Sequence, residues 1–83
     1  MSVMILFRTL MFAQKGSRVL SGGNVPNEVV KAPRGTEENG CAYGVRFREP
    51  RLSEAVRLLQ KEGIPYGRIL LPDGAGRWRE AQV

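Results

Sequence analysis

Hydrophobic residues near the start of the chain form one short unbroken run, followed by a longer segment of mixed polarity. Val3–Phe7 is too short for a helix, so the run predicts a central buried strand. Thr9 can cap a helix that Gly22-Gly23 ends, because glycine accepts the left-handed geometry of a helix C-terminus. Gly16 inside that helix costs about 1 kcal/mol relative to alanine, so it predicts close packing of the helix on the sheet.

The middle of the chain predicts two further strands separated by a polar loop. Val25–Ala32 is the first of these strands, and Pro33 stops it. Residues 34–40 form a polar, glycine-bounded loop, and Cys41–Arg48 is the next strand. Side chains alternate along a strand, so one face of this strand carries Cys41, Tyr43, Val45 and Phe47.

The last third of the chain predicts a second helix and a fourth strand. After Pro50, apolar residues recur at helical spacing from Leu52 onward, and Gly63 ends the helix. Arg68–Leu71 is the predicted fourth strand, and residues 73–83 are predicted to form a polar C-terminal tail that contains Trp78.

The predicted elements follow the order βαββαβ, which is the order of a ferredoxin-like sandwich. The expected fold class is therefore α+β, with a four-stranded antiparallel sheet and two helices on one face. A chain of 83 residues has room for one domain, which we place at residues 1–72. We expect the other face of the sheet to be open or paired, and a homodimer would add stability to so small a domain.

Charge and hydropathy indicate which partners and which cellular compartment to expect for the protein. With 13 lysines and arginines against 8 acidic residues, the net charge is +5, which suits an anionic partner or solubility alone. The apolar run that ends at Phe7 is far shorter than the roughly 20 residues needed to span a bilayer. A single cysteine cannot form an internal disulfide, so we expect a cytoplasmic protein without a membrane segment.

The side chains available for chemistry exclude several classes of site. One cysteine and no histidine cannot supply the usual ligands of a zinc-type centre, so no metal site is predicted. The same composition rules out a Cys-His pair and a Ser-His-Asp triad. Gly74-Ala75-Gly76 follows a strand but opens no helix, so it does not match a phosphate-binding loop. The sequence thus predicts no cofactor and favours a carrier or binding protein over an enzyme.

Cys41 is the remaining candidate for covalent chemistry, because it lies where the polar loop meets the strand. Free cysteines are often small buried hydrophobic residues, and that interpretation stays open beside a reactive thiol. Reactivity requires the thiolate, and therefore nearby positive charge or aligned amides. Arg34 is the candidate charge, and the glycines Gly40 and Gly44 would leave the backbone open to approach.

Several short motifs together resemble the selenium/sulfur carrier protein-like family of small bacterial domains, whose function is uncertain. The resemblance rests on residues in three parts of the chain. In the first strand and helix they are Phe7, Thr9, Ala13 and Leu20. Around the polar loop they are Pro33-Arg34, Cys41-Ala42 and Val45-Arg46-Phe47, and after the last helix they are Gly63-Ile64. The resemblance covers about Met4 to Leu71. Ser17 stands where the family often has an acidic residue, and Glu37 and Glu38 occupy a loop that is serine-rich in the family.

The resemblance implies a carrier that holds a persulfide on Cys41, with Arg34 stabilising the anion. Gly40 and Ala42 would then shape access to the sulfur, and Gly44 would belong to the same binding site. The implied partner is a cysteine desulfurase-like or selenium-pathway protein. Glu37 and Glu38 would act against this role, because nearby negative charge raises the pKa of a thiol.

Two rival functions use the basic surface instead of the thiol. The same fold carries RNA-recognition sheets, but only Tyr43 fits the aromatic positions that such sheets need. Arg46, Arg48 and Arg51 could still bind phosphates without sequence preference. A protein-interaction domain would instead use the open sheet face or the segment Arg77-Trp78-Arg79, although a lone tail tryptophan more often packs on its own domain.

Overall fold

A computed structural model of the protein describes residues 1–33, 42–74 and 77–81. The chain folds as an α+β domain in which two helices accompany a five-stranded antiparallel sheet. The elements in chain order are β1 (Ser2–Phe7), α1 (Leu10–Gly22), β2 (Asn27–Lys31), β3 (Tyr43–Arg48), a short 3-10 helix (Glu49–Arg51), α2 (Leu52–Lys61), β4 (Ile69–Pro72) and β5 (Trp78–Ala81).

The sheet has the order β2-β3-β1-β4-β5, so the first strand lies in the middle. β1 pairs with β3 along its whole length, from Ser2 opposite Arg48 to Phe7 opposite Tyr43. On its other side β1 pairs with β4, where Ile5 lies opposite Ile69. The predicted central position of the Val3–Phe7 run is therefore confirmed, and all five of these residues are buried.

The predicted count of four strands is wrong, because residues 78–81 add a fifth strand. β5 pairs antiparallel with β4, and Trp78 lies opposite Pro72. This strand falls within the stretch that was expected to be a polar tail. Its four residues, Trp-Arg-Glu-Ala, are too few and too charged to show the alternating pattern on which strand prediction depends.

Both helices pack on one face of the sheet and share one hydrophobic core. Three elements contribute most of its buried residues. These are Val3, Ile5 and Phe7 from β1, Ala13 and Leu20 from α1, and Ala55, Val56 and Leu59 from α2. The predicted close approach at Gly16 is also found. A Cβ atom added there would lie 2.6 Å from Cζ of Phe7, so only glycine lets α1 sit this close to the sheet.

The ends of α1 agree with the predicted bounds but not with the predicted reason for the C-terminus. The Thr9 side chain accepts a hydrogen bond from the Phe12 amide at 3.1 Å, which confirms it as the N-cap. Gly23, however, has a φ of −94°, and the left-handed residue is Asn24, with a φ of 65°. Gly23 is needed for another reason, because an added Cβ would lie 2.5 Å from Cδ1 of Leu58 on α2.

The strand after α1 is shorter than the sequence predicts. Val25 is buried and its amide donates to the carbonyl of Leu20 at 2.9 Å, so it closes the helix turn and does not join the ladder. Asn27 then begins β2, and its side-chain amide donates to the Val25 carbonyl at 2.8 Å. The Ser17 hydroxyl donates to Oδ1 of Asn27, which ties α1 to the start of this strand.

The second helix matches its prediction closely. A 3-10 turn with Pro50 near its start leads into α2, and Ala55, Val56 and Leu59 form its buried stripe. Gly63 has a φ of +69°, so a glycine there allows the left-handed turn that ends the helix. Among the described residues no helix is long and apolar enough to cross a membrane.

Candidate functional site

The site predicted from sequence is divided between described and undescribed parts of the chain. Ala42 and Gly44 lie at the start of β3 and are described. Cys41, Arg34 and Gly40 lie outside the described residues, as does the polar loop of residues 34–40. The part of the site that the structure describes therefore consists of the chain up to Pro33 and the chain from Ala42 onward.

Ala42 is exposed and lies at the end of the sheet where β1 finishes and α1 begins. Its carbonyl accepts a hydrogen bond from the Ala32 amide at 2.9 Å, which extends the pairing of β2 and β3 by one step beyond the strands. Tyr43, the next residue, lies opposite Phe7 of β1 and opposite Lys31 of β2. Since Cys41 directly precedes Ala42 in the chain, these three strand ends are part of the described structure next to the cysteine in the sequence.

Gly44 is buried and covered, contrary to the expectation that it leaves the backbone open to approach. A Cβ added at Gly44 would lie 2.8 Å from Cγ and 3.0 Å from Sδ of Met4. The position also lies close to the backbone, with the Ile5 carbonyl oxygen at 3.1 Å. Glycine at this place thus gives the Met4 side chain room to lie across the sheet, and it is Ala42 that presents an exposed surface.

Two cations near this end of the sheet cannot be recognised from the sequence around Cys41. Lys31 is the last residue of β2, and Arg8 directly follows β1; both are exposed. Neither stands close to Cys41 in the sequence, so composition around the cysteine does not reveal them. The antiparallel register does, because it brings Lys31 and Phe7 opposite the same residue, Tyr43. Positive charge of this kind favours the anionic form of a nearby group.

The aromatic residues of β1 and β3 face the helices and not the open face of the sheet. Tyr43 and Phe47 pack with Val45 in or against the helix-side core, which confirms the predicted common face for these three described residues. Phe7 belongs to the same core and is fully buried. Tyr43 was the one aromatic residue that fitted an RNA-stacking platform, and its place against the core removes it from that role.

Two of the three arginines considered for phosphate contacts are engaged with carboxylates. Arg46 forms an ion pair with Glu28 across β2 and β3. Arg51 donates from Nε to Glu54 at 2.8 Å and from Nη2 to the Asn24 carbonyl at 3.1 Å. The hydrogen bond from Arg51 holds the pKa of Glu54 below its ordinary value of 4.5. These contacts leave Arg48 as the member of the set whose exposed side chain has no ion pair with another described residue.

The face of the sheet opposite the helices is partly covered by the side chain of Trp78 from the edge strand β5. Met4, Leu6 and Leu70 form a small second cluster on this face, and Trp78 packs against it together with Val30 and Ala32. An ion pair of Arg68 with Glu80, with a distance of 2.5 Å, also joins the last two strands. Trp78 is therefore half-buried on its own domain.

The fold defines a small α+β domain whose single cysteine directly precedes the exposed Ala42 in the sequence. Comparison with protein families gives a match over residues 2–71 to the family described as "Putative Se/S carrier protein-like". The chain belongs to this family, as its motifs suggested. Neither the curated proteins nor the solved structures that were searched contain a matching chain. The matched range ends within β4, so β5 lies beyond it.

Proposed function

We propose that the protein carries sulfur or selenium as a persulfide or its selenium analogue on Cys41. The observation that carries the proposal is the family match, which spans residues 2–71 and includes the Pro33-Arg34 and Cys41-Ala42 motifs. The exposed position of Ala42 at the start of β3 supports it, because the residue next to Cys41 is open to a partner. Arg34 stabilises the anion in this proposal, and Gly40 and Ala42 shape access to the sulfur. Gly44 is buried under Met4 and contributes close packing beside the site instead of access.

The proposed transfer is a thiol exchange that leaves the oxidation balance unchanged. The Cys41 thiolate attacks the outer sulfur of a persulfide on a donor protein, a cysteine desulfurase-like or selenium-pathway enzyme. A new S–S bond forms at Cys41, the donor S–S bond breaks, and the donor cysteine leaves as a thiolate. The thiolate is the reactive species, so cations near the cysteine promote the step. Lys31 and Arg8 add to the positive charge at this end of the sheet.

We assign the domain to the ferredoxin-like arrangement, extended by one strand. The support is the order β2-β3-β1-β4 among the first four strands, their antiparallel pairing and the shared core of both helices. We place the protein in the cytoplasm, where thiols are kept reduced. The carrier does its work without being an enzyme itself in this account.

The test measures the pH dependence of alkylation of Cys41 and then the intact mass after exposure to sodium polysulfide. A thiol pKa clearly below the ordinary value of about 8.5 is expected, with a stable gain of one sulfur atom. Cys41→Ser abolishes the gain. Arg34→Gln raises the thiol pKa, whereas Arg57→Gln, on the exposed side of α2, leaves it unchanged.

Two results would count against a carrier. One is a thiol that reacts only after unfolding, and the other is a folded protein that gains no sulfur from polysulfide. The basic surface then becomes the better account, because the net charge of +5 suits an anionic macromolecule. Salt-dependent binding to single-stranded RNA, weakened by Arg48→Gln, would support that second function.

A further inference from the structure

A pocket of about 230 Å³ lies between the first turn of α1 and the segment that leads into β4. Its lining residues are Arg8, Phe12, Pro65, Tyr66 and Gly67. The wall is mostly apolar, since it is made of two aromatic rings, a proline ring and glycine backbone. The pocket is smaller than the roughly 300–1,000 Å³ of sites for drug-sized ligands, so it suits a group the size of one amino acid.

The wall of the pocket is fixed by hydrogen bonds that do not involve a ligand. The Gly67 amide donates to the Leu6 carbonyl at 2.7 Å, which anchors this segment to the end of β1. Nε2 of Gln60 donates to the Tyr66 hydroxyl at 3.1 Å, so the polar end of the ring is held from α2. Phe12 packs against the helix-side core. A ligand would thus meet a largely preformed surface, which lowers the entropy lost on binding.

The charges around the pocket are positive. Arg8 lines it and forms no ion pair with any residue in the ranges 1–33, 42–74 and 77–81. Nζ of Lys15 lies 5.8 Å from the centre of the Phe12 ring, so a second cation stands beside the same wall. None of the described residues that line the pocket is acidic. An apolar cavity lined by a guanidinium that has no ion pair with another described residue is complementary to a carboxylate on an apolar body.

We infer that this pocket binds a small organic carboxylate with an apolar group of amino-acid size. The ring or alkyl group lies against Phe12, Pro65 and Tyr66, and the carboxylate pairs with Arg8. The pocket and Ala42 lie at the same end of the sheet, because Arg8 follows Phe7 and Ala42 precedes its pairing partner Tyr43. The inference does not depend on the carrier function, since neither Cys41 nor Arg34 lines the pocket; Arg8 is the one residue that the two proposals share.

The test is a titration of the full chain with 3-phenylpropionate, followed by amide chemical shifts in NMR spectra. Saturable shifts are expected at Phe12 and Gly67, and the uncharged analogue 3-phenylpropanamide should bind about two- to fivefold more weakly, as expected for one partly exposed ion pair. Arg8→Gln should bind 3-phenylpropionate only as tightly as the parent protein binds 3-phenylpropanamide. Arg57→Gln is the matched control and should bind like the parent.

Equal affinity for the acid and the amide would overturn the role of Arg8. Shifts that do not saturate, or that spread over the surface instead of the pocket, would overturn the site itself. Cys41→Ser separates this inference from the carrier function, because it should abolish sulfur loading and leave the binding of 3-phenylpropionate unchanged.

Discussion

The two faces of the sheet bury side chains in different ways. On the helix face, residues from β1, α1 and α2 form one continuous core. On the opposite face, Met4, Leu6 and Leu70 are almost as well buried, with exposed fractions of 4%, 0% and 1%, although no helix belongs to their cluster. Side chains of the outer strands, Trp78 above all, provide cover there. The comparison shows that a side chain from a short edge strand can exclude water from buried residues on a sheet face that has no helical layer.

The largest difference between the faces should appear when a fully buried leucine is removed from each. Leu20→Ala on α1 should lower the free energy of unfolding by about 3–5 kcal/mol, since a helix and a sheet hold the cavity open. Leu6→Ala, on the open face, should cost about 2–3 kcal/mol, because neighbouring side chains and water can close the gap more easily. Urea unfolding followed by circular dichroism measures both values. An equal or larger loss at Leu6 would show that the second cluster is as rigid as the first.

The role of β5 can be tested at Trp78. Trp78→Ala should lower the free energy of unfolding by about 2 kcal/mol, because a half-buried aromatic ring then no longer covers Leu6 and Leu70. Arg79→Ala on the same strand is the control, and its exposed side chain should matter by less than about 0.5 kcal/mol. The same urea unfolding experiment serves for both. If the two variants are equally stable, β5 does not contribute to the cover of this face.

Two glycines permit a comparison of packing rigidity across the sheet. Gly16→Ala should cost about 1–3 kcal/mol despite its better helix propensity, because the added methyl group meets the ring of Phe7. Gly44→Ala should cost about 1–2 kcal/mol, since the Met4 side chain can shift away from the added methyl group but the Ile5 carbonyl oxygen at 3.1 Å belongs to the backbone. Gly22→Ala has no neighbour within 4 Å and should be neutral or stabilising by about 0.5 kcal/mol. A larger loss at Gly44 than at Gly16 would reverse the ranking of the faces.

The smallest expected effect is electrostatic and lies at the start of α2. Since the pKa of Glu54 is lowered by its hydrogen bond from Arg51, the folded state favours the charged carboxylate. Its contribution is fully present above the ordinary pKa of 4.5 and is lost as the pH falls through the folded value. Glu54→Gln should therefore be less stable than the parent near neutral pH and should approach it in acid. Urea midpoints at several pH values test this, and a constant difference would contradict it.

The first four strands and both helices could be predicted because their sequences carry strong local signals. Val3–Phe7 is an unbroken apolar run, Thr9 is a cap residue, and α2 has one clear apolar stripe. Gly16 was predicted to mark close packing for the right physical reason. Gly23 was assigned a conformational role, yet its contact with Leu58 is a tertiary one that no local pattern records.

Other features depend on pairing over long distances, which the sequence does not display. β5 is defined by its partner β4, and its four residues have no period of their own. Lys31 and Arg8 are placed at the same end of the sheet only by the register of three strands. The pocket at Phe12 and Tyr66 likewise joins segments far apart in the chain. Cys41 as the carrier thiol stays a prediction from the sequence, made because it is the single cysteine of the protein.

The position of Trp78 also makes the molecule its own optical probe. The chain contains one tryptophan, and that indole packs on the open face and not in the helix-side core. Its emission will therefore report the detachment of the last strand, while far-ultraviolet ellipticity reports mainly the helices. A spectral shift that precedes the loss of ellipticity on heating would identify this edge of the sheet as a separately melting unit.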